Sequence, residues 1–511
     1  MASLLGNWVG APSSSARPAA VRWLPYLPAL LVLALAIFLH RDGGLGADNS
    51  WLLTLGEKWL AGAVPYVDFV EVNPPASLLL FMPAVIAGQA LGVAPETCVI
   101  VMMFLGVLAS LKLSCTILRG TSFWSLKAEP YVLASLLFAF LVLPMHCFAQ
   151  REHIAVVLAL PMLALYASRT EEHASSWPLQ LCAGIAGGVC VAIKPYFALA
   201  LLLPLALAVL RTPGGWRARA ATAISLANGT VVVVVGTYVA VVYLVFPVFM
   251  REMMPLLVDA YLPVKVPLWR VGLTAAVSVV FPAFMVLLVD RARIRETATA
   301  ILLLAATGFA LAVVIQGKSF PNHFYPVFAL AAFALASALI ERLIQRPAGT
   351  WAMAGLAIGF FGLSLVGGAG LQLFALRPES AELIETVRRL APPHPKIAAL
   401  TADLSIGHPL TRMVGGQWLG KYCAHWITGN VAGLLRADVD ETTRRRLEAD
   451  LRLDRDALVE ELSAGQPDVV LIDGDTWRKW AQDHADVGLA LVPYHEAARV
   501  EGTSVLVRRA P

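Results

Sequence analysis

The sequence predicts an α-helical polytopic membrane protein with a small α/β domain at its C-terminal end, and three observations carry that expectation. Of 511 residues, 58% are hydrophobic and only 14% charged, with a mean hydropathy of +0.70, whereas a soluble domain holds about 25% charged residues. Runs of about 20 apolar residues recur, each long enough to cross a hydrocarbon core about 30 Å thick. From about Arg377 the pattern turns charge-rich, with short apolar segments between. Disorder, collagen-like repeats and a disulfide scaffold are thereby excluded. The net charge of +4 comes from 39 basic and 35 acidic residues spread over the whole chain, so no nucleic-acid partner is expected. Cys98, Cys115, Cys147, Cys182 and Cys190 lie in or beside apolar segments and only Cys423 in the polar part, so no disulfide framework is expected.

The first apolar run, Trp23 to His40, follows Arg17 and Arg22 and lacks a small-residue cleavage site. It reads as a retained anchor with a cytoplasmic N-terminus. Further runs near 97–118, 128–147, 154–168, 178–194, 196–211, 219–246, 270–290, 297–316, 324–341 and 350–376 bring the expected crossings to about eleven. The run from Ala76 to Gly92 decides the parity of everything after it. If it crosses, the basic loops Arg119–Lys127, Arg211–Arg219 and Arg291–Arg295 face outward. If it lies in the interface, they face the cytoplasm together with Arg342 and Arg346, which the positive-inside rule favours. Pro74 and Pro75 suit a helix that starts at the interface.

Segments 41–75, 149–153, 247–269 and 317–323 then share the non-cytoplasmic face with the C-terminal part. The expected division is a membrane domain, 1–376, and a periplasmic α/β domain, 377–511. In the latter, Lys396–Leu400, Asp468–Ile472 and Thr503–Val507 read as strands, and Leu447, Leu451, Leu458 and Leu462 line an amphipathic helix.

The first outer loop places Asp48 before a stretch in which Trp51, Leu52, Leu55, Trp59 and Leu60 form one apolar face, as in a helix lying in the membrane surface. Gly62, Pro65 and Tyr66 follow, then Pro74 and Pro75 open a second apolar helix. Taken alone, Asp48 is a helix cap. In this order the loop resembles the first periplasmic loop of GT-C superfamily glycosyltransferases, among them protein O-mannosyltransferases and the aminoarabinose transferases of lipid A, which take a sugar from a polyprenyl-phosphate carrier. The resemblance implies a GT-C type fold with interfacial helices before the second crossing. It also gives Asp48 the place of the acidic residue that serves there as catalytic base or metal ligand.

A second acid commonly stands about a hundred positions later in that superfamily. Gln150, Arg151, Glu152 and His153 occupy the place here, with Glu152 where the family more often has Asp. The run from Gln316 to Pro326, which includes Gly317, Lys318, Ser319, His323 and Tyr325, resembles the family's lysine, aromatic or histidine, and proline that line the lipid-phosphate site. Lys318, His323 and Tyr325 are therefore expected at the donor, where cations would neutralise a phosphodiester. The plainer reading has Lys318 snorkelling and His323 capping a helix. A nucleotide P-loop is a poor explanation of Gly317, Lys318 and Ser319, because its first glycine would stand where Ala312 does.

Arg151 and Lys194 are further candidate phosphate cations; Lys194, followed by Pro195 and Tyr196, interrupts a long apolar stretch and reads equally as an interfacial loop residue. Arg251, Glu252, Asp259, Tyr261, Lys265, Trp269 and Arg270 mix charge with aromatics in the third outer loop; an aromatic belt accounts for Tyr261 and Trp269. One departure is that Asn73 stands where the aminoarabinose transferases carry a lysine before the double proline, which leaves the sugar open. Asp68 and Glu71 are secondary acids in the same loop.

The expected activity is glycosyl transfer from a polyprenyl-phosphate donor to a lipid, glycan or protein acceptor at the periplasmic face of a bacterial inner membrane. Asp48 would take the acceptor proton, or Asp48 and Glu152 could share a divalent cation such as Mg, Mn or Zn. Two rivals use similar residues. A lipid-linked sugar flippase or transporter would place its charges near the bilayer midplane, and a polysaccharide polymerase or ligase would place its chemistry in a large late loop.

Overall fold

A computed structural model describes residues 24–41, 44–125, 127–173, 175–345 and 380–509. Arg17, Arg22 and Trp23, the expected last crossing at 350–376, Arg346 and the boundary at 376/377 lie outside the described residues.

The other expected spans are all helices: α1 (Leu27–Leu39), α4 (Pro95–Leu118), α5 (Glu129–Leu137, continued by a π-helical turn over Phe138–Val142), α6 (Arg151–Arg169), α7 (Trp177–Ile193), α8 (Leu199–Arg211), α9 (Leu226–Val245), α10 (Leu268–Val289), α11 (Thr297–Gln316) and α12 (Pro321–Gln345). Before α4 come α2 (Ala47–Leu60) and α3 (Ala76–Leu91). Among the described residues, six helices are long and apolar enough to cross a membrane: α4, α6, the stretch ending in α9, α10, α11 and α12. The remaining apolar helices are 10–17 residues long.

α6 is the hub of the bundle, packing against α4, α7, α8, α11 and α12, and 89% of its apolar window is buried. Small residues at Ala155, Ala159, Ala164 and Ala167, all buried, let neighbouring backbones close on it. α9 is the opposite case, valine-rich and only 6% buried in its window, with Val232, Val233 and Leu244 exposed on a lipid-compatible face. It approaches α7 closely because Gly184 and Gly188 carry no Cβ; one built on Gly184 would stand 2.5 Å from Ala227 O.

The C-terminal part contains α13 (Ala381–Leu390), α14 (Trp426–Leu434) and α15 (Glu441–Ser463) around a five-stranded sheet of order β2-β1-β3-β5-β4. The strands are β1 (Lys396–Leu400), β2 (Gln417–Trp418), β3 (Val469–Asp473), β4 (Tyr494–Val500) and β5 (Thr503–Arg508). β1 runs parallel to β2 and β3, while β5 is antiparallel to β3 and β4. β1 and β3 are apolar almost throughout and buried on both faces, as central parallel strands require. Leu447, Leu458 and Leu462 of α15 are buried as the pattern predicts.

The apolar face of α2 goes elsewhere than its pattern suggests. Trp51 and Leu55 pack with Leu383, Ile397, Trp418 and Val469 of the C-terminal part, and Leu52 and Leu53 pack into the bundle. α2 is thus sandwiched between the two parts, with Trp51, Leu52 and Leu55 of its expected membrane-surface face covered by protein while Leu60 stays exposed. Arg412 pins the contact, donating from Nε to Glu96 Oε1 at 2.5 Å and from Nη1 and Nη2 to Glu57 at 2.5 and 3.0 Å. Val70 N donates to Lys421 O at 2.8 Å nearby.

Candidate active site

The N-terminus of α6 organises the site. Ala149 has a φ of 57° and Gln150 is extended, so the chain turns sharply into the helix and sets Arg151 and Glu152 in its first turn. A carboxylate there is favoured by the helix dipole. Glu152 is completely buried, which only strong partners can sustain. Lys194 Nζ lies 2.5 Å from Glu152 Oε1, and Asn322 Nδ2 donates to Oε2 at 3.0 Å.

Lys194 reaches Glu152 because it ends α7 in an extended conformation, which the following Pro195 enforces by disfavouring helix at the residue before it. The ammonium also donates to Gln316 Oε1 at 3.1 Å and lies 3.2 Å from His323 Nε2. Gln316 closes α11 just before Gly317, whose φ of 65° reverses the chain. Pro321 then opens α12 and sets Asn322 and His323 in its first turn. His323 Nε2 faces both members of the pair, lying 3.4 Å from Glu152 Oε1 as well.

A second set of contacts runs from Arg151 toward α2. Arg151 Nη2 lies 3.6 Å from Asp48 Oδ1, and Nη1 lies 3.9 Å from Glu71 Oε1, leaving Nη1 buried with no hydrogen-bond partner. Asp48 is the second residue of α2 rather than its cap, which is Gly46. Asn49 ties that turn to the loop before α6, donating to Phe148 O at 2.8 Å. The Asp48 side chain keeps 39% exposure while Arg151 keeps 7%, so the acid is open and its cation is sheltered. Glu71 accepts from Trp51 Nε1 at 2.7 Å and from Asn73 N at 2.9 Å. Burial pushes its pKa up, opposed by Arg151 and Asn73.

Tyr261 joins the same group, its phenol lying within reach of the charges of Arg151, Asp48 and Glu71; burial raises its pKa to about 12. Lys318 lies over the Tyr261 ring at 4.2 Å and donates to Tyr261 O at 2.9 Å and to Val264 O. Its ammonium therefore clasps the loop between α9 and α10 instead of entering the Glu152 cluster. Tyr325 is also spent elsewhere, its hydroxyl donating to Ala139 O at 2.7 Å. His153 is buried between Ala149 N at 3.0 Å and Phe140 O at 2.8 Å.

Five of the sequence candidates thus form one chain of contacts, from Asp48 through Arg151 to its neighbour Glu152, then Lys194 and His323. Both Glu152 oxygens are engaged by donors and Asp48 faces a guanidinium, an arrangement that does not suit a divalent cation shared between them. Among the described residues no group of three His, Cys, Asp or Glu side chains is gathered to hold a metal. Sequence reasoning missed Asn322, Gln316 and Trp51 as polar members. Asn322 and Gln316 stand within a run already singled out, whereas nothing local marks a tryptophan whose indole meets a carboxylate 20 residues away.

No protein-family model matches the chain, and no curated protein matches it in sequence. Its structure is similar to the crystal structure of ArnT from Cupriavidus metallidurans in the apo state, with a TM-score of 0.56 and 14% identity over 96% of this chain and 98% of that one. It is likewise similar to ArnT from the same organism bound to undecaprenyl phosphate, with a TM-score of 0.55 and 14% identity over 96% of this chain and 99% of that one. The likeness runs through the bundle and the C-terminal part together, so the fold is that of these two structures.

Proposed function

We propose that the chain is a membrane glycosyltransferase that moves a sugar from a polyprenyl-phosphate donor to an acceptor hydroxyl at the non-cytoplasmic face of a bacterial inner membrane. The observation that carries this reading is an open carboxylate, Asp48, beside a sheltered guanidinium, Arg151, whose Nη1 is buried without a hydrogen-bond partner. A buried donor without a partner is costly unless a ligand satisfies it, and a phosphate oxygen suits it. The ArnT structure with undecaprenyl phosphate supports a polyprenyl phosphate as that ligand.

In this reading Asp48 removes the acceptor hydroxyl proton as the oxygen attacks the anomeric carbon. The bond from that carbon to the phosphate oxygen breaks, and the phosphate leaves as an anion that needs no protonation. Arg151, Lys194 and His323 stabilise it. Glu152 is a positioning residue, since its oxygens hold Lys194 and Asn322. Lys318 adds positive potential at the mouth while clasping the outer loop.

The site is built from the ends of α2, α6, α7, α11 and α12, so its charges gather at one end of the bundle. That supports chemistry at a membrane surface over a transport path, whose ionisable groups sit near mid-membrane. The N-terminus is assigned to the cytoplasm and the C-terminal domain, 377–511, to the periplasm, over the site. The test is transfer by the purified protein from radiolabelled polyprenyl-phosphate sugars to candidate acceptors, wild type against Asp48→Asn. Transfer by the wild type alone supports the assignment, and equal transfer by both removes Asp48 from it.

A further inference from the structure

A half-open cleft of about 270 Å³ lies where the outer loop between α9 and α10 meets the C-terminal part. Its walls come from three stretches of chain: Tyr66 and Val70 of the first outer loop, Glu252 and Asp259 of the loop after α9, and Lys421, Tyr422, Arg446 and Asp450 of the C-terminal part. Both membrane-side walls adjoin the candidate active site along the chain, since Val70 precedes Glu71 and Asp259 stands two residues before Tyr261.

Three carboxylates face two cations here over a floor of Val70, Leu256, Pro255 and Leu453. Asp450 Oδ2 is buried without a hydrogen-bond partner. Arg446 reaches Asp259 only loosely, at 3.5 Å. Ionised carboxylates are acceptors only, so a ligand that answers them brings donors, and three acids on the wall disfavour a phosphate. A hydrocarbon would answer none of the charge that the loose Arg446–Asp259 pair leaves over. A sugar ring has both required faces: C–H groups for the apolar floor and equatorial hydroxyls that donate to Asp259 and Asp450 and accept from Arg446 and Lys421. The volume lies just below the ~300–1,000 Å³ of small-molecule pockets, enough for one ring with neighbours extending into solvent. Tyr66 is held rigid for this, at a φ of 67°, by its hydroxyl on Asn73 O and by the Phe246 and Phe249 rings.

We infer that this cleft is the acceptor subsite and binds an uncharged sugar ring of a glycan. The inference rests on the glycosyl-transfer reading and adds the class of acceptor to it: a hydroxyl-rich glycan whose neighbouring ring then offers its hydroxyl to Asp48.

The test uses the full chain in nanodiscs with methyl α-D-glucopyranoside, methyl α-D-mannopyranoside and glucose 6-phosphate as probes, read by saturation-transfer NMR. The expected result is saturation of at least one methyl hexoside and weaker or no saturation of glucose 6-phosphate. Affinity should fall about tenfold in Asp259→Asn/Asp450→Asn, the loss expected for hydrogen bonds to charged groups. Ala449→Trp, which fills the cleft from an exposed position without altering its charges, should show the same loss. Undecaprenyl phosphate binding, measured on the same samples, should stay unchanged in both. The inference is overturned if neither hexoside is saturated, if both variants bind as the wild type does, or if glucose 6-phosphate binds more tightly than the hexosides. Hexoside binding without glycosyl transfer would sink the activity and leave a sugar cleft; transfer with unaltered acceptor KM in both variants would sink the cleft and leave the activity.

Discussion

Lys194 Nζ lies 2.5 Å from Glu152 Oε1, joining the end of α7 to the first turn of α6 across 42 residues of chain. Both side chains are sheltered, at 11% and 1% exposure. Two charges are kept inside an apolar bundle only where their remaining hydrogen-bonding capacity is answered, and Asn322 and Gln316 supply those bonds. The pair keeps a cation in place among the ends of α6, α7, α11 and α12.

Glu152→Gln is therefore expected to leave Lys194 buried without its counter-charge and to cost about 3–5 kcal/mol. Glu152→Gln/Lys194→Met should recover most of that stability while still failing to bind undecaprenyl phosphate tightly. Thermal unfolding of the detergent-solubilised protein is the measurement, and a single variant as stable as the wild type would contradict the role given to the pair.

Asp48→Asn should lower transfer by about 10²–10⁴-fold, the usual range for a removed general base. Undecaprenyl phosphate affinity should hold or improve, because a negative charge beside Arg151 is gone. Steady-state rates and equilibrium binding on one preparation separate the two effects. A loss confined to binding would mean that Asp48 positions Arg151 and takes no proton.

Burial, with Lys265 adding repulsion, pushes the Lys318 pKa down to about 8. Raising the pH through 8 removes its charge, whereas a phosphate monoester, with a second pKa of about 6, is already doubly charged. Undecaprenyl phosphate affinity should accordingly decline above pH 8 in the wild type and stay level in Lys318→Arg. Identical profiles in the two proteins would assign the decline to another group.

Asp450 titrates in the opposite sense. Burial and the Asp259 charge raise its pKa to about 6, against the pull of Arg446, so the folded chain holds this proton more tightly than the unfolded one, whose carboxyl titrates near 3.9. Its protonated form favours the fold below about pH 4, and that contribution is lost as pH rises from 4 to 6. Asp450→Asn should flatten the thermal midpoint across this window; a variant with the wild-type slope would exclude Asp450 as its source.

How much of this was legible beforehand follows from where each signal resides. The ten helices described over the expected runs could be read because an apolar run is a local property. Asp48, Glu152 and His323 stand out through the resemblance of their segments to those of GT-C glycosyltransferases, and Arg151 and Lys194 because charges beside apolar helices are expensive. The same resemblance marks Lys318 and Tyr325, yet their polar atoms turn to backbone carbonyls at Tyr261, Val264 and Ala139, a choice of rotamer and neighbour that spacing does not encode. An apolar face has one signature whether lipid or protein covers it, so the pattern of α2 does not announce that the C-terminal part covers Trp51 and Leu55.

By itself the chain of residues determined the apolar runs, the helix ends at Pro195, Gly317 and Pro321, and the polar groups stationed there, since all depend on near neighbours and backbone sterics. Only the packed molecule decided that α6 becomes the hub, that Glu152 meets Asn322 across 170 residues, and that Trp51 lies under the C-terminal sheet. Those contacts join segments far apart in the chain, and which of them form is settled by the close packing of all the helices at once.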